Sequence, residues 1–493
     1  MITSHCPKTI CAIFVVCAGI VGTTFAQTFN TLASFDGVNG SNPFYVSLVQ
    51  GRDGNYYGTT ERGGIGTCYF GNGCGAVFRI NSSGTLDRLY SFCMQGFCDT
   101  GTYPMAGLLL ASDGSAYGTA WYGGMNGPCS QGCGDIYKIG KDTITTFYSF
   151  CAQLKCEDGG APLAALIEGV DGNFYGTTSG YGPLGGGTVF KITPAGEQTT
   201  LYRFCQQIGC TDGEYPNAGV IQGSDGNFYG TTYYGGASGW GTVFKLTPKG
   251  TLTTLHSFAG TPTEGGYPSA GLVQGSDGNL YGTTLHGGMN TCFEGCGTVF
   301  RVTPKGAFTT LHMFAGPEGT GPMAGLIQAT DGNFYGTTSG GGGNSGGTIF
   351  QISASGALQT LYDFCAQPGC TDGVSAWGNL LQATTGTFYG TTYGGGGNPS
   401  CQNCGTVFSI SMGIGPFVAL TRASGKVGQA GGILGQGFTG TTSVSLNGIP
   451  APFRVISDTF IEAIVPAGAT TGYVTVTTPR GTLTSNLPFH IFH

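Results

Sequence analysis

Charge is what this chain has least of. Only 9% of its 493 residues are Asp, Glu, Lys or Arg, against about 25% in an ordinary globular domain, so its surface must be built from Gly, Ser, Thr, Asn and Tyr. The net charge is −7 and no basic run or arginine cluster occurs, which removes the electrostatic footprint that phosphates need and excludes nucleic acid as an expected partner. Beyond residue 26 no segment carries a helical period, and no apolar run there approaches the roughly 20 residues of a membrane span. Nucleophile-elbow and metallopeptidase-helix motifs are also missing. What is abundant is glycine, 95 residues, together with 12% Phe, Trp and Tyr. So many glycines alone would suggest disorder, but this much aromatic surface can offset the ordering entropy. The composition reads as a compact, glycine-rich β protein.

Residues 1–26 place Lys8 ahead of an apolar run from Ile10 to Gly22 and end in Thr24-Phe25-Ala26. That is the layout of a cleaved secretory leader. The run is short for a membrane anchor, and Cys17 follows Phe14-Val15-Val16, which does not suit a lipoprotein site. The mature chain is therefore expected to be secreted or held in the cell envelope, without a transmembrane segment once the leader is lost.

One octapeptide organises the rest. Asp225-Gly-Asn-Phe-Tyr-Gly-Thr-Thr232 has close copies starting at Asp53, Asp113, Asp171, Asp277 and Asp331, and a degenerate one at Thr385. Each lies in a longer unit, typified by residues 217–258, with four short runs rich in Val, Ile, Thr, Tyr and Phe between Gly, Pro and Asp turns, the signature of strands. The first runs lie near Leu48, Leu108, Leu166, Val220, Leu272, Leu326 and Leu380, and the fourth end at Phe35, Phe92, Phe150, Phe204, Phe258, Phe314 and Phe364. Seven complete sets of four predict a seven-bladed β-propeller over residues 27–412. Residues 28–35 match a fourth run with nothing before it, while 405–410 match a third run with nothing after it. The expected consequence is that strand 28–35 completes the last blade and closes the ring. The strand one–two and three–four turns are tight and share one face of the disk; the longer, variable connections share the other, where function is expected.

Residues 416–493 lack the repeat and alternate short strands with Gly-rich turns, as in Gly425-Lys-Val-Gly428, Ile433-Leu-Gly-Gln-Gly-Phe438 and Phe460-Ile-Glu-Ala-Ile-Val-Pro466. Their Gly-x-x-Gly-x-Phe, Asn-Gly-Ile-Pro-Ala and Ile-x-x-x-Val-Pro-Ala segments resemble the IPT/TIG family, which implies a small immunoglobulin-like β-sandwich with a binding or spacer role. The upstream units, through Tyr-Gly-Thr-Thr, Gly-Thr-Val-Phe and Thr-Thr-Leu-Tyr-x-Phe, resemble the bacterial choice-of-anchor tandem repeat GloVer. That resemblance implies an exported or envelope protein of unestablished activity.

Apart from Cys6, Cys11 and Cys17 in the leader, the cysteines fall in close pairs. Cys68/Cys74, Cys129/Cys133, Cys292/Cys296 and Cys401/Cys404 lie between strands two and three, and Cys93/Cys98, Cys151/Cys156, Cys205/Cys210 and Cys365/Cys370 follow strand four. Each such loop holds two cysteines or none, as local disulfides require in an exported protein. Zinc is the alternative for such spacings; no metal and no cofactor are expected.

No catalytic constellation assembles from the sequence, and the expected role is non-enzymatic. His256 and His312 occupy the strand-four position of Tyr90 and Tyr202. Asp99, Asp158, Asp212 and Asp372 sit in loops of the variable face, where they either shape the loops or supply a paired-carboxylate polysaccharide lyase or glycoside hydrolase. Strand one repeats Gln50, Glu168, Gln222, Gln274, Gln328 and Gln382, broken by Leu110; these either ring an axial channel or bond neighbouring backbone. The expected ligand site is the set Trp121, Tyr122, Tyr233, Tyr234, Trp240, His286 and Tyr393 beside the Tyr-Gly-Thr-Thr elements, because aromatic rings match the apolar faces of sugars. The reading is a monomeric module binding extracellular glycan or a surface protein, with an envelope structural role as a further alternative.

Overall fold

The computed structural model describes residues 27–492 except 67, 69–72, 94–100, 125–128, 130, 141–142, 182–184, 290–291 and 293–294. The leader assigned to residues 1–26 lies outside them.

The described chain is all-β apart from four short 3-10 turns. The repeats form seven antiparallel four-stranded sheets, numbered here in chain order. Sheet one holds Val49–Gln50, Tyr56–Thr60, Ala76–Ile80 and Leu86–Ser91; sheet four, of the same plan, holds Ile221–Gln222, Phe228–Thr232, Thr242–Leu246 and Leu252–Ser257. Sheets two, three, five and six begin at Leu109–Leu110, Ile167–Glu168, Val273–Gln274 and Ile327–Gln328. Sheet seven takes Leu381–Gln382, Phe388–Thr392 and Thr406–Ser411 from the end of the array and Thr28–Ser34 from its beginning. That N-terminal strand pairs antiparallel with the third, Thr28 opposite Ser411 and Ser34 opposite Thr406, as the offset of the repeats requires.

The second strand explains the octapeptide. All five residues of Phe228–Thr232 are buried, because the inner strands are covered on both sides by neighbouring sheets. A Cβ on Gly230 would stand 2.6 Å from Cζ of Phe244, so glycine leaves the space that the third-strand phenylalanine fills. Tyr229 is fully buried, and its hydroxyl donates to Asp225 at 2.8 Å. The hairpin aspartate thus caps its own turn and anchors the strand, a role fixed by local geometry.

Neighbouring sheets are joined by two repeated bonds. The first threonine of each unit's Gly-Thr-Thr (Gly-Thr-Ala in sheet two) donates its hydroxyl to a backbone carbonyl leading into the next sheet: Thr59 to Ala106, Thr119 to Ala164, Thr177 to Ala218, Thr231 to Ala270, Thr283 to Ala324 and Thr337 to Ala376. In sheet seven, Thr391 donates to Val46 of sheet one. The strand-one glutamines make the second link. Gln222, Gln274, Gln328 and Gln382 accept from the backbone N–H of Val170, Ser224, Ser276 and Thr330 in the preceding hairpins. Gln50 accepts from Thr384, again bringing sheet one to sheet seven, and Glu168 accepts from Ser112. The glutamines therefore bond neighbouring backbone and do not form a ring of free polar groups. Residues preceding the first strands of all seven sheets, including Ser47, Gly107, Ala165, Gly219, Gly271, Met323 and Asn379, line one cavity of about 190 Å³.

Residues 419–491 form two further four-stranded sheets and a two-stranded parallel pair. Ile433 and Ile461 of one sheet share a buried core with Val444, Leu446, Val474 and Val476 of the other. This part rests on the hairpin side of the repeats. Thr459 donates to the Arg52 carbonyl at 2.6 Å, Arg422 donates to Val170, and the Phe417 N–H donates to Thr384 at 3.0 Å.

Candidate functional site

The face opposite the hairpins is built from the longer connections. In each unit the chain entering strand one forms an isolated antiparallel bridge with the chain leaving strand two, as in Thr102 with Tyr122, Glu214 with Tyr234 and Gly266 with His286. The next residue on the entering side, Asn42, Tyr103, Ala161, Tyr215, Tyr267 or Ser375, has a positive φ, as does Gly321. This left-handed turn lets its N–H reach back to the preceding unit: Tyr103 donates to Cys74, Tyr215 to Gly186 and Tyr267 to Trp240. Its carbonyl meanwhile accepts from the residue after strand two, Trp121, Tyr233 and Leu285 in those same units. The side chains at both positions consequently emerge side by side.

The seven sequence-predicted residues separate into three groups. Tyr233, Tyr234, Trp240 and His286 come together across sheets four and five around Tyr267. Tyr267 stacks on Tyr233 at 5.0 Å, lies 4.5 Å from Trp240 and meets the His286 ring edge-on at 4.9 Å. Tyr215 closes on Tyr234 at 5.8 Å, and these two rings are the open edge of the cluster, each 40% exposed. Trp121 and Tyr122 stack on each other at 4.3 Å in sheet two. Tyr393 stacks on Trp377 at 4.2 Å, with Phe44 packed edge-on against Trp377 at 4.9 Å. Tyr103, Tyr215, Tyr267 and Trp377 were missed by sequence reasoning. A signal was present, since Tyr103, Tyr215 and Tyr267 stand at one repeat position before Pro104, Pro216 and Pro268.

The carboxylates on this face divide sharply. Asp158, Asp212 and Asp372 are buried and saturated, accepting from the hydroxyls of Tyr148, Tyr202 and Tyr362 at 2.8 Å and from two backbone N–H groups each. They shape the strand-four loops. Asp99 lies outside the described residues. In sheets four and five the tyrosine–aspartate pair has become histidine–glutamate, His256 lying 3.0 Å from Glu264 and His312 3.0 Å from Glu318. Glu61 differs from all of these. It occupies the position of Trp121 and Tyr233, is nearly inaccessible, and has a pKa raised by burial against the lowering influence of Arg62, 3.2 Å away.

Seven disulfides join nearest cysteines: Cys68–Cys74, Cys129–Cys133, Cys151–Cys156, Cys205–Cys210, Cys292–Cys296, Cys365–Cys370 and Cys401–Cys404. Cys93 is also bonded, and Cys98 lies outside the described residues. Among the strand two–three connections, the long ones from Thr60 to Ala76, Ala120 to Asp135, Thr284 to Thr298 and Thr392 to Thr406 carry a bridge. The short ones from Thr178 to Thr188, Thr232 to Thr242 and Thr337 to Thr348 carry none. Long loops need a crosslink to hold the carbonyl that the next unit uses: Cys74, Cys133, Cys296 and Cys404 are themselves those acceptors.

The architecture defines an all-β repeat protein of four-stranded sheets joined in series around a shared cavity. The chain belongs to the Gloeobacter/Verrucomicrobia repeat family, whose family model matches residues 125–292 and 289–437. No curated protein matches the chain. Among solved structures it is similar to a proposed 6-phosphogluconolactonase from Bacteroides uniformis, at 13% identity and a TM-score of 0.40 over 64% of this chain and 83% of that one. A protein of unknown function from Bacteroides thetaiotaomicron is similar at 13% identity and a TM-score of 0.41, over 78% and 76% of the two chains. A luciferin-regenerating enzyme is similar at 13% identity and a TM-score of 0.38, over 63% and 92%. These names stand against the expectation of a non-enzymatic protein, which is not kept: two of the structures to which the chain is similar are named as enzymes.

Proposed function

We propose that the seven sheets are the blades of a closed propeller, that residues 416–493 form an immunoglobulin-like sandwich seated on its hairpin side, and that the exported protein binds extracellular glycan on its loop face. The observation that carries the binding reading is the aromatic cluster of Tyr215, Tyr233, Tyr234, Trp240, Tyr267 and His286. Its rings are supplied by two adjacent units and are held by mutual stacking, with Tyr215 and Tyr234 exposed at the edge. Rings fixed in this way offer a large apolar contact to sugar C–H faces at low conformational cost, and the stiff backbone beneath them lowers the ordering cost of binding. Other units place Glu61, Ser179 and Ser339 at the position of Tyr233, so an aromatic ring is not needed to build the sheet. A panel of polysaccharides immobilised for retention tests the reading. Tyr234→Ala should weaken retention several-fold, about 1 kcal/mol, with the melting temperature unchanged; unchanged retention of a verified ligand would place the site elsewhere.

A second reading rests on Glu61. A carboxyl with a raised pKa on the same face as the rings can donate a proton to a glycosidic oxygen. The same panel, assayed for new reducing or unsaturated ends, tests it: release by the parent protein and its loss in Glu61→Gln support hydrolysis or elimination, and release unaffected by that change refutes a role for Glu61.

A further inference from the structure

Six of the seven first strands carry a Gln or Glu that clasps the preceding hairpin, and the exception is Leu110 of sheet two. Its counterparts, five amides and the Glu168 carboxylate, satisfy a backbone N–H one sheet away. Leu110 cannot, and in place of that clasp Arg52 of sheet one donates to the Ser112 carbonyl of sheet two at 2.8 Å. At this junction the structure opens a cleft of about 770 Å³. Its walls are apolar, including Leu89, Leu110 and Ile139 from the repeats, and Leu420 and Leu434 of the C-terminal sheets form its roof. Two cations border it. Arg52 stands over the Phe460 ring at 4.6 Å, and Lys138 stands over the Tyr117 ring at 5.2 Å. Among the described residues Lys138 has no carboxylate partner, whereas its counterpart Lys245 is paired with Asp225 at 2.8 Å. Asp53, also on the rim, is already committed to Asn55 and Tyr57.

We infer that this cleft is a binding site for a small amphipathic anion: an aliphatic chain lies against the leucines and its carboxylate pairs with Lys138. The volume falls within the usual range for small-molecule sites, and a boundary between two structural parts is a common place for one. A half-buried lysine resting on an aromatic face with no acidic partner offers a desolvated positive charge that a carboxylate can satisfy with both Coulomb energy and hydrogen bonds. A neutral or cationic chain would gain only the apolar contact.

The absent clasp supplies the test. Leu110→Gln restores the group that five of the other six sheets use, and should close the cleft by drawing the first strand of sheet two onto the hairpin of sheet one while leaving the fold intact or more stable. Isothermal titration of the full mature protein with dodecanoate, and with dodecylammonium as the charge-reversed control, is expected to show dodecanoate binding only. Leu110→Gln should weaken it at least tenfold with no fall in melting temperature, and Lys138→Gln should weaken it several-fold while leaving the shape of the cleft unchanged. Failure of the parent protein to bind dodecanoate would overturn the inference, as would equal binding of dodecylammonium or undiminished binding by a folded Leu110→Gln protein. None of these results depends on the loop face, so the glycan reading stands or falls separately.

Discussion

Replacing Asp135 by threonine together with Ala120 by threonine should stabilise the protein, and by more at pH 7 than at pH 4. In five sheets the residues at these two positions are a threonine pair whose hydroxyls meet inside the sheet, Thr178 with Thr188, Thr232 with Thr242, Thr284 with Thr298, Thr338 with Thr348 and Thr392 with Thr406, at 2.7–2.9 Å. Sheet two has Ala120 opposite Asp135. Asp135 is fully buried, and among the described residues neither of its carboxylate oxygens has a hydrogen-bond partner. Burial raises its pKa well above the ordinary carboxylate range.

An unpartnered buried polar group costs about 1–3 kcal/mol and a charged one more, while a restored buried hydroxyl pair contributes about 1 kcal/mol. The double substitution should therefore gain about 3 kcal/mol at pH 7. The sign of the pH dependence follows from linkage: the folded state keeps a proton that the unfolded chain releases above about pH 4, so the Asp135 penalty grows as pH rises. At pH 4 the gain should shrink to the hydrogen-bond contribution plus part of the desolvation. Urea denaturation of parent and double variant at the two pH values measures both gains. Equal gains at pH 4 and pH 7, or a loss at pH 7, would refute the assignment of Asp135 as a buried, unsatisfied acid.

Much of this fold was legible because each unit repeats the same local physics. The strand pattern, the hairpin aspartates and the offset terminal strand all followed from residue type and spacing, and the pairing of Thr28–Ser34 with Thr406–Ser411 needed only a count of elements. Contacts between units were less accessible. The stacking of Tyr267 on Tyr233 and of Trp377 on Tyr393 depends on which side chains a left-handed turn brings together, and neither ring belongs to the Tyr-Gly-Thr-Thr element. His256 and His312 were correctly placed at the tyrosine position, but their partners Glu264 and Glu318 are a compensating change two loops' geometry away from the aspartates they replace. The seat of the C-terminal sheets on Arg52, Val170 and Thr384 had no signal at all, since a docking surface between unlike parts leaves no periodicity to read.

Three further outcomes are expected. Deleting residues 27–36 uncovers the Thr406–Ser411 edge and should cost several kcal/mol through lost pairing and burial together; an unchanged melting temperature would argue against ring closure through this strand. Peptide mapping under non-reducing conditions should recover the seven described bridges as loop-local pairs and join Cys93 to Cys98, whereas free thiols or stoichiometric zinc would contradict that pattern. The last concerns acid. Burial pushes the Asp225 carboxyl up, but hydrogen bonds from Lys245, Asn227 and Tyr229 outweigh it and hold its pKa at about 2, and Asp171 and Asp277 are lowered in the same way by their own hairpin partners. A depressed carboxyl pKa contributes stability that is complete above the unfolded value near 4 and is lost as pH falls towards 2. Because the shift recurs at three successive hairpins, these small terms act together, and the melting temperature should fall between pH 4 and pH 2. Asp225→Asn should melt below the parent at pH 6 and converge with it at pH 2; a constant difference across that range would mean that the carboxylate's charge contributes nothing to the hairpin.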